Sequence, residues 1–370
     1  MKKIKLLLLL PFLMLTIAFI QVKVFEDSEK VVNNHEEQYY SLEDFSLVKK
    51  FDIHIHINTE EKFFMEQALV DNFRFLDIID DRPFGLPMEE QQKIAKHHLK
   101  HFSKIMALAT TFSVNEWDNA DWSGNTITGL KKSFSDGAVA VKIWKNIGMD
   151  LRDKNGKFVM VDNDRLDPIL DYLVANNIPL LGHNGEPRDC WLPLDEMTFS
   201  QGYYGAHPEY HMYLHPEYPS YQDQIDARDH MLEKHPELTF MGAHLGSLEW
   251  SLDELAKRLD NFPNMHVDLT RMSNLQLHTF NNRQKTRAFF IKYQNRLIYG
   301  TDSQINPTNN PDTFKKAIHD RWVREWKFYA TDETISLENF GTLKGLKLPT
   351  EVVDKIYAKN AFRLLGLQNW

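Results

Sequence analysis

Two histidines one residue apart, His54 and His56, sit in the run FDIHIHIN, with isoleucine on both sides of each. Imidazole is the commonest metal ligand, and a period-two run of this kind is a strand signature. Side chains at i and i+2 share a face of a strand, so Asp52, His54 and His56 are expected on one face and the isoleucines on the other. Two imidazoles placed this way can grip one cation from one side. A strand whose polar face meets water would read the same, so the rest of the chain has to decide.

Other chemistry-bearing residues recur where apolar runs end. His183 closes PLLGH, His244 closes FMGAH, Asp302 closes LIYGTD, and Lys142 lies in VAVKIWK. Three or four imidazole nitrogens with one carboxylate suit Zn2+, and Mn2+, Fe2+ or Ni2+ are compatible with the same ligand types. Each residue alone has a plainer reading, a hydrogen-bonded side chain of the core or rim. Their shared position at run ends is what argues for a site.

The elements that must carry them come in a repeating order. Strand-like runs occur at KKFDIHIHI, NFRFLDII, SKIMALATTFSV, AVAVKIWK, IPLLGH, LTFMGAH, MHVDLT and RLIYGTD, and amphipathic stretches such as DRLDPILDYLVANN and SLEWSLDELAKRLDNF lie between most of them. Eight strands alternating with helices predict an α/β fold of the (β/α)8 TIM-barrel kind, whose catalytic groups gather at the C-terminal ends of the strands. A doubly wound open sheet is the alternative, but the first strand–helix turn lacks a Gly-rich phosphate loop. Extra length falls at 186–220, rich in Pro, Tyr and His, and at 305–348.

The 370 residues are 42% hydrophobic and 26% charged, an ordinary globular composition with material for a large core. A formal charge of −9 without a basic stripe argues against nucleic acid as a partner. Lys2, Lys3 and Lys5 precede an apolar run from Leu6 to Ile20, the pattern of an export signal. The run is short for a comfortable span of ~20 residues, and no small-x-small cleavage site is evident. Residues 1–25 are therefore expected to be a cleaved signal peptide or an N-terminal membrane anchor, 26–47 a polar tether, and 48–370 the barrel. The protein is expected to be exported, periplasmic or anchored in the inner membrane, and to meet lipid only through an uncleaved N-terminal segment. Cys190 is the sole cysteine, so no intrachain disulfide forms.

DIHIH, GHNGEP, HPELTFMGAHLGSLEW, FPNMHVDLT, YGTDS and KIYAKNAFRLLGL together resemble the amidohydrolase superfamily, in its amidohydrolase-2 branch with aminocarboxymuconate-semialdehyde decarboxylase-like enzymes. The resemblance spans about residues 48–366. It implies that His54, His56, His183 and Asp302 ligate one divalent metal, and that His244 is the acid or base that positions water. In binuclear members a strand-four lysine is carboxylated and bridges two metals; Lys142 stands on that strand, and one metal with Lys142 as an unmodified barrel or substrate-contacting amine is the favoured reading.

The expected function is a metal-dependent hydrolase that turns a metal-activated water on a small amide, lactone or related carbonyl compound, with Asp302 and His244 as the catalytic groups. The alternative is a metal-dependent nonoxidative decarboxylase of a small carboxylic acid, and the third is an exported non-catalytic binding protein. The partner is a small molecule, and a homodimer is compatible with the sequence. Arg188 and Arg271 are candidates for pairing with a substrate carboxylate, and Trp191, Tyr203 and Tyr204 for lining the mouth. Asp52 reads as a support for the ligands or a plug in the barrel floor, and Asp268 as a contributor inside the barrel.

Overall fold

Each of the eight apolar runs contains a strand, and all of them pair in parallel: β1 Lys50–Ile57, β2 Phe73–Ile78, β3 Met106–Thr110, β4 Ala140–Ile143, β5 Leu180–Gly182, β6 Phe240–Gly242, β7 Met265–Asp268 and β8 Leu297–Ile298. The computed structural model describes residues 37–82, 85–337 and 341–367. The eighth run breaks in two. β8 pairs with β7, the chain then leaves the ladder, and β9, Ser303–Ile305, pairs with β1. Across the break Ile53 N donates to Tyr299 O at 3.0 Å and Asp302 N to His54 O at 2.8 Å, so the sheet closes into a barrel.

Two apolar layers follow from strand alternation. Leu76, Ala107, Ala109, Ala140, Leu181, Met241 and Ile298 fill the barrel interior, and Ala361 and Leu365 of the C-terminal helical segment join the same cluster. The alternate strand residues, such as Phe75, Leu108, Val141, Leu180 and Val267, pack outward against the helices. On β1 the alternation is broken. Phe51 and Ile53 belong to the interior cluster, Ile55 and Ile57 to the outer one, and the pairing with β2 slips between Asp52 and Ile55. A bulge of this kind re-aims the side chains beyond it. The expectation that Asp52 shares a face with His54 and His56 is therefore corrected: the histidines point into the mouth, whereas the Asp52 carboxylate turns to Thr301, accepting from its backbone N at 3.0 Å and its hydroxyl at 2.6 Å. Burial pushes the Asp52 carboxyl up to about 7, against the pull of those hydrogen bonds.

The boundary expected after residue 47 moves toward the N-terminus. Residues from Tyr39 belong to the barrel unit; Phe45 is buried, and Tyr40 donates to Asp354 at 2.8 Å and lies against Trp326. The expected leader, residues 1–25, and the first half of the tether, 26–36, lie outside the described residues. Among the described residues no helix is long and apolar enough to cross a membrane.

Candidate metal centre

β1 delivers His54 and His56 to the mouth beyond its bulge, and the break in the eighth strand delivers Asp302, whose φ of 55° is left-handed. A non-glycine residue takes that conformation at a cost, and such strain gathers at functional sites. One nitrogen of each histidine and one oxygen of Asp302 lie within 4.8 Å of one another. His54 Nε2 stands 3.4 Å and His56 Nε2 3.6 Å from Asp302 Oδ1. Donors sharing a tetrahedral ion at about 2.1 Å are themselves about 3.4 Å apart, so the three fit a divalent metal as they stand.

The far side of each ring fixes its tautomer. His54 Nδ1 lies 2.7 Å from Asp268 Oδ2, and His56 Nδ1 lies 3.0 Å from Ile78 O. Both partners can only accept, so each Nδ1 carries the proton and each Nε2 keeps its lone pair toward the mouth. Outer hydrogen bonds of this type orient metal-binding imidazoles. Burial, ahead of every other influence, pushes the His56 imidazole down to about 4. Burial alone would raise the Asp302 carboxyl, but His54, His56, Lys142 and Arg271 outweigh it and hold Asp302 below the usual range.

His244 sits in a left-handed turn after β6, in which His244, Leu245, Gly246 and Ser247 have φ of 57°, 58°, 64° and 56°. Such a turn costs roughly 1–2 kcal/mol per non-glycine residue. It is held by the His244 backbone N donating to Asp268 Oδ1 at 2.7 Å and by the Ser247 hydroxyl donating to Asn184 O at 3.1 Å. A side chain on Gly242 would put its Cβ 2.8 Å from the Gly246 Cα, so glycine there allows the turn to fold back on the strand. Thr270 donates its hydroxyl proton to Asp268 Oδ1 at 2.8 Å and accepts from His244 Nδ1 at 2.7 Å. His244 Nε2 is left with its lone pair, 3.7 Å from Asp302 Oδ2. Burial and then the neighbouring His183 hold the His244 imidazole well below its ordinary value, so it is neutral.

His183 lines the same cavity, its ring 4.4 Å from that of His244 and its Nε2 buried without a hydrogen-bond partner, but it stands outside the compact His54–His56–Asp302 group. Lys142 also reaches the cavity; its Nζ is buried and unpaired, and burial pushes it down to about 8 against the pull of Asp268, Asp302 and Asp80. Arg271 lines the cavity with a buried, unpaired Nε. Arg188 is not brought to it: the guanidinium lies 4.3 Å over the Trp250 ring and the backbone N donates to Glu249 at 2.9 Å. Trp191 likewise turns away, donating to Pro219 O at 3.2 Å.

The cavity holds about 320 Å³. The segment 186–220 covers one side with Glu186, Pro187, Ser200, Tyr203 and Tyr204, over a small core in which its Cys190, Met197, Tyr204 and Met212 pack with Met149. His211 and His215 are staples of that segment, bonded to Leu192 O and Pro208 O at 2.7 and 3.0 Å. Sequence reasoning missed Arg82, which lines the cavity bound to the buried Asp80, and the Lys145–Glu186 ion pair. Asp80, just past the end of β2, lies 3.4 Å from His56 Nδ1. The strand-end criterion that marked His183 would have marked it too.

A closed parallel barrel with histidine and aspartate donors converging at its C-terminal mouth defines a metal-dependent barrel enzyme. A family model described as Amidohydrolase matches residues 137–367, and the chain belongs to this amidohydrolase-2 family, whose members are metal-dependent enzymes that include hydrolases and decarboxylases. That match takes in Lys142, His183, His244, Arg271 and Asp302 but not β1. Among solved structures, 2,6-dihydroxybenzoate decarboxylase from Rhizobium is similar at 13% identity and a TM-score of 0.52, covering 86% of this chain and 99% of its own. An amidohydrolase II structure is similar at 14% identity and a TM-score of 0.50, covering 86% and 100%. These likenesses concern the fold. No curated protein matches the sequence.

Proposed function

We propose that His54, His56, His183 and Asp302 hold one divalent ion, Zn2+ foremost, and that the enzyme hydrolyses a small amide, lactone or related carbonyl compound bearing a carboxylate. The observation that carries this reading is a convergent donor set facing two cations without partners, the Lys142 Nζ and the Arg271 Nε, in one cavity. The buried, unpartnered His183 Nε2 in the same cavity supports its place as fourth ligand. When bound, the ion would act as a Lewis acid toward the carbonyl and acidify water to a pKa of about 7. Asp302, held below the usual carboxylate range, is ionised and accepts the proton of the attacking water. His244 receives that proton on Nε2 and returns it to the leaving group, its Nδ1 anchored through Thr270 to Asp268. Lys142 and Arg271 hold the substrate carboxylate by charge-assisted hydrogen bonds.

The same two cations favour a second reading, decarboxylation of a small carboxylic acid, the type of activity named for the Rhizobium relative. Metal-loaded protein offered lactones, amides and aromatic or muconate-type carboxylates separates the two. Hydrolysis incorporates oxygen from labelled water and releases no CO2; CO2 release without net uptake of water establishes the decarboxylase. Turnover of none of these classes would leave the binding-protein reading. Export of the chain is also a proposal, tested by fusing residues 1–30 to a reporter active only outside the cytoplasm; an inactive reporter would reject it.

A further inference from the structure

Among the described residues, the stretch after the eighth strand, 305–348, contributes nothing to the cavity lining, yet its helix Pro311–Ala330 sends Arg321 back to the break in that strand. Arg321 Nη2 donates to Thr301 O at 2.7 Å and Nη1 to Ser303 Oγ at 3.3 Å. One guanidinium thus grips the residues on either side of Asp302. Its Nε donates to Glu325 Oε1 at 2.8 Å, and the other oxygen of Glu325 accepts from the buried Tyr299 hydroxyl, two residues before Thr301. The same stretch is tied to β1: Asp52 accepts from the backbone N atoms of both Thr301 and His54, at 3.0 and 3.1 Å.

We propose that Arg321 is a positioning residue of the metal centre, a clamp held by Glu325 that fixes Thr301 and Ser303 and thereby sets where the Asp302 carboxylate stands. The inference rests on the metal-ligand reading above. Where a strand runs unbroken its ladder fixes each residue; from Tyr299 to Asp302 only two backbone–backbone bonds to β1 remain among the described residues, Ile53 N to Tyr299 O and Asp302 N to His54 O, and Asp302 is left-handed, so side chains must help to hold it there. The planar guanidinium reaches three acceptors in one rigid fork, which a lysine ammonium does not reproduce. The helix that carries it is firmly seated: Asn310 caps its first turn and Trp322 stacks on Phe73 at 4.1 Å. This gives the extra segment after the eighth strand a task that substrate contact does not.

Full-length protein with Arg321→Lys or Arg321→Met, stripped and titrated with Co2+ as the probe, tests the proposal by dissociation constant and visible absorption spectrum. Loss of an outer hydrogen-bonding partner typically costs 10–100-fold in metal affinity. Arg321→Met is expected to lie in that range with a shifted spectrum, and Arg321→Lys between it and wild type. Arg258→Met, which removes an Arg–Glu pair of the same i,i+4 kind on another helix, should leave both readouts unchanged. A folded Arg321 variant with the wild-type constant and spectrum overturns the proposal. If Arg321→Met does not fold, Arg321→Lys, which keeps a cation against Glu325, decides. Wild type that takes up no Co2+ would instead overturn the metal-centre reading.

Discussion

Replacing Asp268 by asparagine exchanges one oxygen for an amide nitrogen at nearly constant shape, so its effect follows from counting hydrogen bonds. Among the described residues, Asp268 Oδ1 accepts from the His244 backbone N at 2.7 Å, the Thr270 hydroxyl at 2.8 Å and the Thr270 backbone N at 3.3 Å, whereas Oδ2 accepts only from His54 Nδ1 at 2.7 Å. Three donors against one decide the orientation: the amide keeps its oxygen on the Oδ1 side and turns its NH2 toward His54. His54 then has to accept at Nδ1, which moves its proton to Nε2, the atom facing Asp302. An Nε2–H cannot ligate a metal, and the other tautomer opposes two N–H groups in a buried place. The hydrogen bond at stake is charge-assisted, worth ~1.5–3 kcal/mol, or about 10- to 150-fold in dissociation constant. Calorimetric metal titration of wild type and Asp268→Asn at neutral pH should show a loss of that size. Wild-type affinity in a folded Asp268→Asn protein would refute the tautomer argument.

His244→Ala should keep its metal while kcat falls by roughly 10²–10⁴-fold, the usual share of a general acid–base group; measured on one sample, an unchanged kcat would remove His244 from the chemistry. Lys142→Met should raise KM for a carboxylated substrate about 10- to 150-fold, the equivalent of a charge-assisted hydrogen bond, at constant metal content; loss of one of two ions would establish a bridging Lys142. Lys50 is pushed down to about 7 by burial, with Asp71 pulling the other way, from an ordinary 10.5. Between those values the unfolded chain binds the extra proton, so this group makes folding stronger as pH rises from 7 toward 10.5. Chemical denaturation at the two ends of that range should show a smaller rise for Lys50→Met than for wild type, and equal slopes would contradict the assignment.

Much of this architecture is legible in the residue order because each strand is a short apolar run with a polar residue at its mouth end. His183 and His244 each mark the end of a strand, Asp302 falls in the break after β8, and Lys142 falls on the inward set of β4, between Val141 and Ile143 of the outer layer. What was not legible depends on departures from regular geometry. The alternation in FDIHIHIN is perfect as letters, but a bulge reverses the faces between Ile53 and Ile55 and sends Asp52 away from the histidines. The eighth strand reads as one run, although Asp302 is presented by a break within it. Arg188 and Arg271 carry equal promise in the sequence; packing on Trp250 removes Arg188, and the loop after β7 aims Arg271 inward. Asp268 gave a weaker signal because its role is a hydrogen bond to His54, 214 positions away.

In the proposed function, His54, His56, His183 and Asp302 hold one divalent ion at the barrel mouth. Elemental analysis of purified wild type beside His54→Ala, each confirmed to be folded, tests it most directly. About one divalent ion per wild-type chain and loss of that ion from His54→Ala are expected. Metal-free wild type after loading, two ions per chain, or wild-type metal content in His54→Ala would contradict it.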